Sequence, residues 1–149
     1  MTPEQEVQAM VDRETAAWDR QDAGALVELF HPDMVWPWPP RGDAHDPADW
    51  VFPQGRYDRA RWKAGWEELF RTHELAHNVR RTVRIAVSDE GDGAFAVVDV
   101  DTLWLRRADG NFNHWKGRAC KGYTRVGGRW LLIFHTGLLE YSTEGDSRA

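Results

Sequence analysis

The chain has 149 residues and a mass of 17.2 kDa, the size of one domain. Nineteen Lys and Arg against 24 Asp and Glu leave a formal charge of −5, which argues against a nucleic-acid protein resting on a large basic surface. A balance of 42% hydrophobic and 29% charged residues excludes wholesale disorder, and one cysteine, Cys120, excludes an internal disulfide framework.

Residues 4–21 read as a helix, because Val7, Met10, Val11, Glu14 and Trp18 recur at spacings of three and four after a Thr2-Pro3-Glu4 start. Asp22-Ala23-Gly24 interrupts it. A second short helix, Ala25 to Phe30, stops at His31-Pro32-Asp33, since proline disfavours helical geometry in the residue before it. Met34 to Trp38 reads as a short strand that runs into Pro37, Pro39 and Pro40, so it lies at an edge. Residues 39–56 form a polar loop of the length expected for a lid or rim. Asp58 to about Thr72 is a third helix, with Trp62, Trp66, Leu69 and Phe70 on one face.

The period then changes to two. Strands are predicted over 76–88, 94–107, 112–126 and 129–142, separated by Gly91-Asp92-Gly93, Ala108-Asp109-Gly110 and Gly127-Gly128. The tail over 142–149 is polar and is expected to fray. The plan is α+β: three N-terminal helices packed against a curved, mostly antiparallel sheet, in one domain over 1–149. No apolar run reaches the length of a membrane span, and the polar start Met1 to Met10 has no signal-peptide pattern. The expectation is a cytoplasmic chain with neither membrane nor nucleic-acid partners.

Alternation assigns faces. Phe95, Val97, Asp99, Asp101 and Leu103 share one side of their strand; Arg118 and Cys120 share a side of the next; Leu131, Ile133, His135 and Gly137 go together in the last. In the first long strand His77, Val79, Val83, Ile85 and Val87 alternate with Asn78, Arg80, Thr82 and Arg84. If these faces meet, His77, Asp99, Asp101, Arg118 and His135 converge in one cavity. The alternative is that both sheet faces are partly covered, with Asp99 and Asp101 facing solvent or Arg118 across a hairpin. Arg80, Arg81 and Arg84 read most simply as a solvated face. Trp36, Trp38, Trp62 and Trp66, with Cys120, are candidates to line a pocket for a small apolar or aromatic ligand. Trp104 and Trp115 are candidates for the outer face of the sheet, where exposed indoles would mark a homodimer interface.

Two stretches carry a family resemblance: Trp18-Asp19-Arg20-Gln21-Asp22 followed by Leu26-Val27-Glu28-Leu29-Phe30-His31-Pro32-Asp33-Met34-Val35-Trp36, and Gly128-Arg129-Trp130 leading the last strand. In this order the chain resembles the SnoaL-like, ketosteroid-isomerase-like superfamily, also called nuclear transport factor 2-like. The resemblance implies a cone, in which a curved sheet wraps a long helix around an apolar pocket. Fold alone leaves the chemistry open. Ketosteroid isomerase would need an acid base and two oxyanion donors where this chain has Trp38, Glu14 and Cys120, so that activity is not expected. The epoxide hydrolases of the fold would need a second acid where Leu132 stands, although Asp101 could supply the first.

The closer match is to the dehydratases and dehydrochlorinases, whose histidine and orienting aspartate correspond to His77 and Asp19. The resemblance implies a cofactor-free lyase or isomerase, with His77 as general base, Asp19 fixing its tautomer, and His135, Asp99, Asp101 and Arg118 supplying acid, polarity or anchoring. A ligand-binding or assembly domain without chemistry is the second reading. The literal HExxH of His73-Glu74-Leu75-Ala76-His77 is a third, the zinc-peptidase pattern. It requires a helix through both histidines, whereas the β-branched alternation after His77 predicts a strand, so no metal is expected.

Overall fold

The computed structural model describes residues 1–37, 46, 48 and 56–142. Trp38, most of the expected loop over 39–56 and the tail beyond 142 lie outside the described residues. Helix α1 spans Pro3–Asp19. Thr2 caps it: its hydroxyl accepts from the Gln5 backbone at 3.2 Å while the Gln5 side chain accepts from the Thr2 backbone at 2.9 Å. Helix α2 is Ala23–Glu28, capped by Asp22, and strand β1 is Phe30–Val35. The strand therefore starts four residues earlier than the proline pattern predicts. Pro32 is tolerated because β1 is an edge strand, paired only with the last strand.

Helix α3, Arg59–Thr72, begins at the Asp58 cap and buries Trp62, Trp66 and Phe70. Four long strands follow: β2 His73–Val87, β3 Gly93–Arg106, β4 Phe112–Val126 and β5 Arg129–Ser142. They form one five-stranded sheet in the order β1-β5-β4-β3-β2, antiparallel except for the parallel β1–β5 pair. Gly127 and Gly128 both take positive φ, 57° and 78°, as the two-residue turn between β4 and β5 requires.

The helices cover one face of the sheet. In β3 the even residues Ala94, Ala96, Val98, Val100, Thr102 and Trp104 are buried there, and the odd residues face outward. Trp18 of α1 sits at the centre of the core, edge-on to Trp66 at 5.2 Å, Trp115 at 5.6 Å, Phe70 at 5.9 Å and Trp104 at 6.4 Å. Trp104 and Trp115 thus lie on the inner face, not on the outer one. The apolar groups that the outer face does present are Val79 and Phe95, each 61% exposed, and Val83. Among the described residues no helix is long and apolar enough to cross a membrane.

Three β-bulges decide which side chains face inward. One extra residue reverses the parity of everything beyond it. In β2, Leu75 pairs with Trp104 but His77 with Leu103, so Ala76 is extra; Thr82 pairs with Val98 but Arg84 with Val97, so Val83 is extra. In β5, Leu132 pairs with Tyr123 and Phe134 with Gly122, so Ile133 is extra.

Candidate functional site

The cavity expected from simple alternation does not form. Between its two bulges, β2 turns His77, Val79 and Arg81 outward and Asn78, Arg80 and Thr82 inward. Asp99, Asp101, Arg118 and Cys120 also lie on the outer face, whereas the β5 bulge carries His135 to the inner one. The five polar residues expected to converge are therefore split across the sheet. Asp99 takes the cross-strand alternative: its carboxylate accepts from Arg118 Nε at 2.7 Å and Arg81 Nη2 at 2.6 Å. Cys120 sits opposite Val97 and Thr136 on the outer face, away from Trp36, Trp62 and Trp66.

The dyad of Asp19 and His77 is absent as well. Asp19 Oδ1 accepts from Asn78 Nδ2 at 2.9 Å, because the bulge at Ala76 brings Asn78, not His77, to the end of α1. His73 and His77 lie in β2, where residues four apart stand about 13 Å apart, so the helical zinc-peptidase arrangement does not form. His73 instead meets the Thr72 hydroxyl at 2.8 Å.

The inner face holds a different polar group. Glu14 of α1 lies 2% exposed, Lys121 of β4 1% and His135 of β5 3%. Lys121 Nζ donates to both Glu14 oxygens, at 2.9 and 3.1 Å, and stands 3.1 Å from His135 Nδ1. Trp18 Nε1 and Arg80 Nη1 also donate to Glu14, at 3.1 and 3.4 Å. Arg80 stacks over the Trp18 ring and donates from Nε to Asn78 Oδ1 at 2.9 Å; the Thr102 hydroxyl donates to the same oxygen at 2.7 Å. A continuous hydrogen-bonded chain thus runs from Asp19 through Asn78, Arg80, Glu14 and Lys121 to His135. Trp36 lies flat on the His135 ring, with centroids 3.8 Å apart. The Tyr123 hydroxyl, on the same inner face, is buried and has no hydrogen-bond partner among the described residues.

Burial penalises every charge here. It pushes the Glu14 carboxyl up, but the Lys121 and Arg80 cations outweigh it, so the carboxyl titrates below its ordinary range. Burial lowers Lys121 despite Glu14, and Arg80 adds to the effect. Burial, then Lys121 and Arg80, hold His135 well below its ordinary value, so its ring is neutral. Burial and Glu14 push the Tyr123 phenol well up, so it keeps its proton. If Lys121 is an ammonium, one anion faces two cations; if it is an amine, Glu14 and Arg80 balance.

Of the expected pocket aromatics, Trp36, Trp62 and Trp66 do gather, with ring centroids 5.5 to 5.9 Å apart. A hollow of about 390 Å³ opens beside them, lined by Met34, Trp36, Arg56 and Tyr57 among others. The sequence carried a sign of the polar group that the pattern reading passed over. Glu14 stands within the apolar stripe of α1, and Lys121 alternates with Ala119 and Tyr123. A charge on a core face must find a buried partner.

The comparisons agree with this architecture. Residues 7–133 match the SnoaL-like domain family, and the chain belongs to it. No curated protein matches the sequence. Among solved structures, a conserved protein from Planctomyces limnophilus superposes with a TM-score of 0.74 at 16% identity, over 93% of this chain and 97% of that one. A candidate scytalone dehydratase from Novosphingobium aromaticivorans gives 0.67 at 14% identity, over 97% and 87%. A hexachlorocyclohexane dehydrochlorinase, LinA type 2, gives 0.63 at 14%, over 96% and 88%. At these identities the likeness is one of fold.

Proposed function

We propose that this SnoaL-like chain is a cofactor-free lyase or isomerase that abstracts a carbon-bound proton from a small, largely apolar or aromatic molecule, with His135 rather than His77 as general base. The observation that carries the reading is the buried chain Glu14–Lys121–His135, whose links measure 2.9 and 3.1 Å. The dehydratase and dehydrochlorinase of the same fold support the reaction class.

In the resting state Lys121 is an amine that accepts the Nδ1 proton of His135 in a hydrogen bond while donating to Glu14. Neutral Lys121 leaves the buried group with no net charge, the arrangement burial favours. His135 Nε2 then presents a lone pair. It takes the substrate proton, and the Nδ1 proton passes to Lys121, whose new ammonium pairs with Glu14. The electrons of the broken C–H bond expel a leaving group from the neighbouring carbon, or the proton returns at another carbon. The Tyr123 hydroxyl donates to the substrate oxygen on which charge builds. The substrate approaches from the side of Trp36 and Tyr57.

The tautomer of His135 tests this without a substrate. Nitrogen-15 spectra of the labelled chain at neutral pH are expected to show Nδ1 protonated and Nε2 bare. The opposite pattern means that a Lys121 ammonium donates to Nδ1, and it removes the base. One observation favours the second reading, a ligand-binding domain without chemistry: the ring of Trp36 covers His135, and aromatic side chains fill the interior around it. On the catalytic reading, His135→Ala costs about 10²- to 10⁴-fold in the rate of hydrogen–deuterium exchange into a turned-over ligand. An unchanged rate would remove His135 as the base, and binding of ligands without any exchange in the native chain would leave only the binding reading.

A further inference from the structure

The outer face of the sheet carries a second cluster, separated from His135 by the thickness of the sheet. His77 of β2 and His114 of β4 flank Leu103 of β3, each in register with it, and Asp101 lies two residues along β3 on the same face. Both imidazoles turn toward that carboxylate. His77 Nε2 lies 2.8 Å and His114 Nε2 2.7 Å from a single oxygen, Asp101 Oδ1. The three donor atoms all fall within 4.8 Å of one another, the one such group of three among the described residues. The bulge at Ala76 makes this possible, because without the extra residue His77 would face the core with Leu75.

We propose that His77, Asp101 and His114 bind a first-row divalent transition metal ion. Two imidazole nitrogens and one carboxylate oxygen suit Zn²⁺ or its neighbours and not Mg²⁺ or Ca²⁺, which take oxygen donors. With metal–ligand distances of about 2.0–2.2 Å, ligand atoms at tetrahedral corners stand roughly 3.4 Å apart, so each histidine–carboxylate distance opens by about 0.6–0.7 Å, while the two imidazole nitrogens, within 4.8 Å of one another, settle to the same spacing. Each ring then holds its proton on Nδ1 and turns the Nε2 lone pair inward. Three strands of one sheet fix the ligands, and two side chains, His77 at 41% and Asp101 at 39% exposure, leave the remaining position open to water. Of the neighbouring cations, Arg81 and Arg118 both pair with Asp99, and Lys116 stands across from Asp101 on β4. A groove of about 520 Å³, lined by Asp101, Arg81, Lys116 and Arg118, adjoins the site.

The test is calorimetric titration of the untagged full chain with Zn²⁺ alone at neutral pH, repeated with Co²⁺ under visible absorption. The expected result is one ion per chain with a Kd below about 10 µM. His77→Asn, His114→Asn and Asp101→Asn are each expected to weaken binding at least about tenfold, and His73→Asn to leave it unchanged. All four positions are on the surface or partly so, and circular dichroism confirms that each variant is folded. The Co²⁺ spectrum is expected to lack the intense thiolate absorption that binding at Cys120 would bring. A weaker constant, a different stoichiometry, or binding that survives loss of either histidine overturns the proposal and leaves the cluster a hydrogen-bonded surface group. None of these outcomes depends on the tautomer of His135.

Discussion

Glu14→Met is expected to destabilise the fold by about 3–5 kcal/mol, the cost of stranding the buried Arg80 cation without its anion. For a domain of this size that lowers the melting temperature by on the order of 10 °C. Lys121 can avoid the strain as the neutral amine that it is at rest. Arg80 cannot, since a guanidinium stays charged, and its side chain is only 5% exposed. A second substitution identifies the cause: Lys121→Met on top of Glu14→Met is expected to recover part of the loss, because the buried amine left without its carboxylate is gone and apolar packing replaces the pair. Strict additivity of the two costs in urea unfolding would show that the groups do not act as a unit. The same carboxylate sets the acid limit of stability. Its folded value lies below the ordinary 4.5, so its contribution is complete above that pH and is lost as the pH falls through the folded value. Glu14→Met should therefore flatten the acid limb of the stability profile while leaving the limb near neutrality parallel.

Gly137→Ala is expected to cost about 3 kcal/mol by overpacking, with urea midpoint as the measure. A Cβ at Gly137 would collide with the Arg118 carbonyl oxygen and come within 2.8 Å of Ala119 Cα. Both are backbone atoms of β4, so no side chain can swing aside. Gly24→Ala is the control. Its nearest neighbours, the Asp22 carboxylate and the Lys63 stem, stand 3.5 and 3.6 Å away, and the position is helical. There the methyl group is expected to add about 0.5 kcal/mol of stability. Equal losses at both positions would remove the β4–β5 contact as the explanation.

The order of elements and their type could be read from the chain, because period, caps and turn glycines each act within a few residues. Thr2, Asp22 and Asp58 cap the helices they precede, and each paired-glycine or Asp-Gly segment is a turn. The family resemblance rested on the same local order. The site was less legible. Alternation gives side-chain direction only while every residue is paired, and Ala76, Val83 and Ile133 break the count with no mark in their own identity. So Arg80, which reads as solvated, lies in the core, and His77, which reads as an interior base, lies outside. Arg80 reads as part of a solvated face, although both it and Lys121 bond to Glu14 inside. Glu14 in an apolar stripe was the local clue, but its partners are 66 and 107 residues away.

The four rings packed edge-on around Trp18 have an optical consequence. Indole transition dipoles held 5 to 7 Å apart in fixed orientation couple, so the native chain should give strong bands in the near ultraviolet. Because Trp18 belongs to α1, Trp66 to α3, Trp104 to β3 and Trp115 to β4, those bands vanish when helices and sheet come apart, even if each keeps its backbone. The molecule carries its own gauge of whether its layers are locked together, with no label attached.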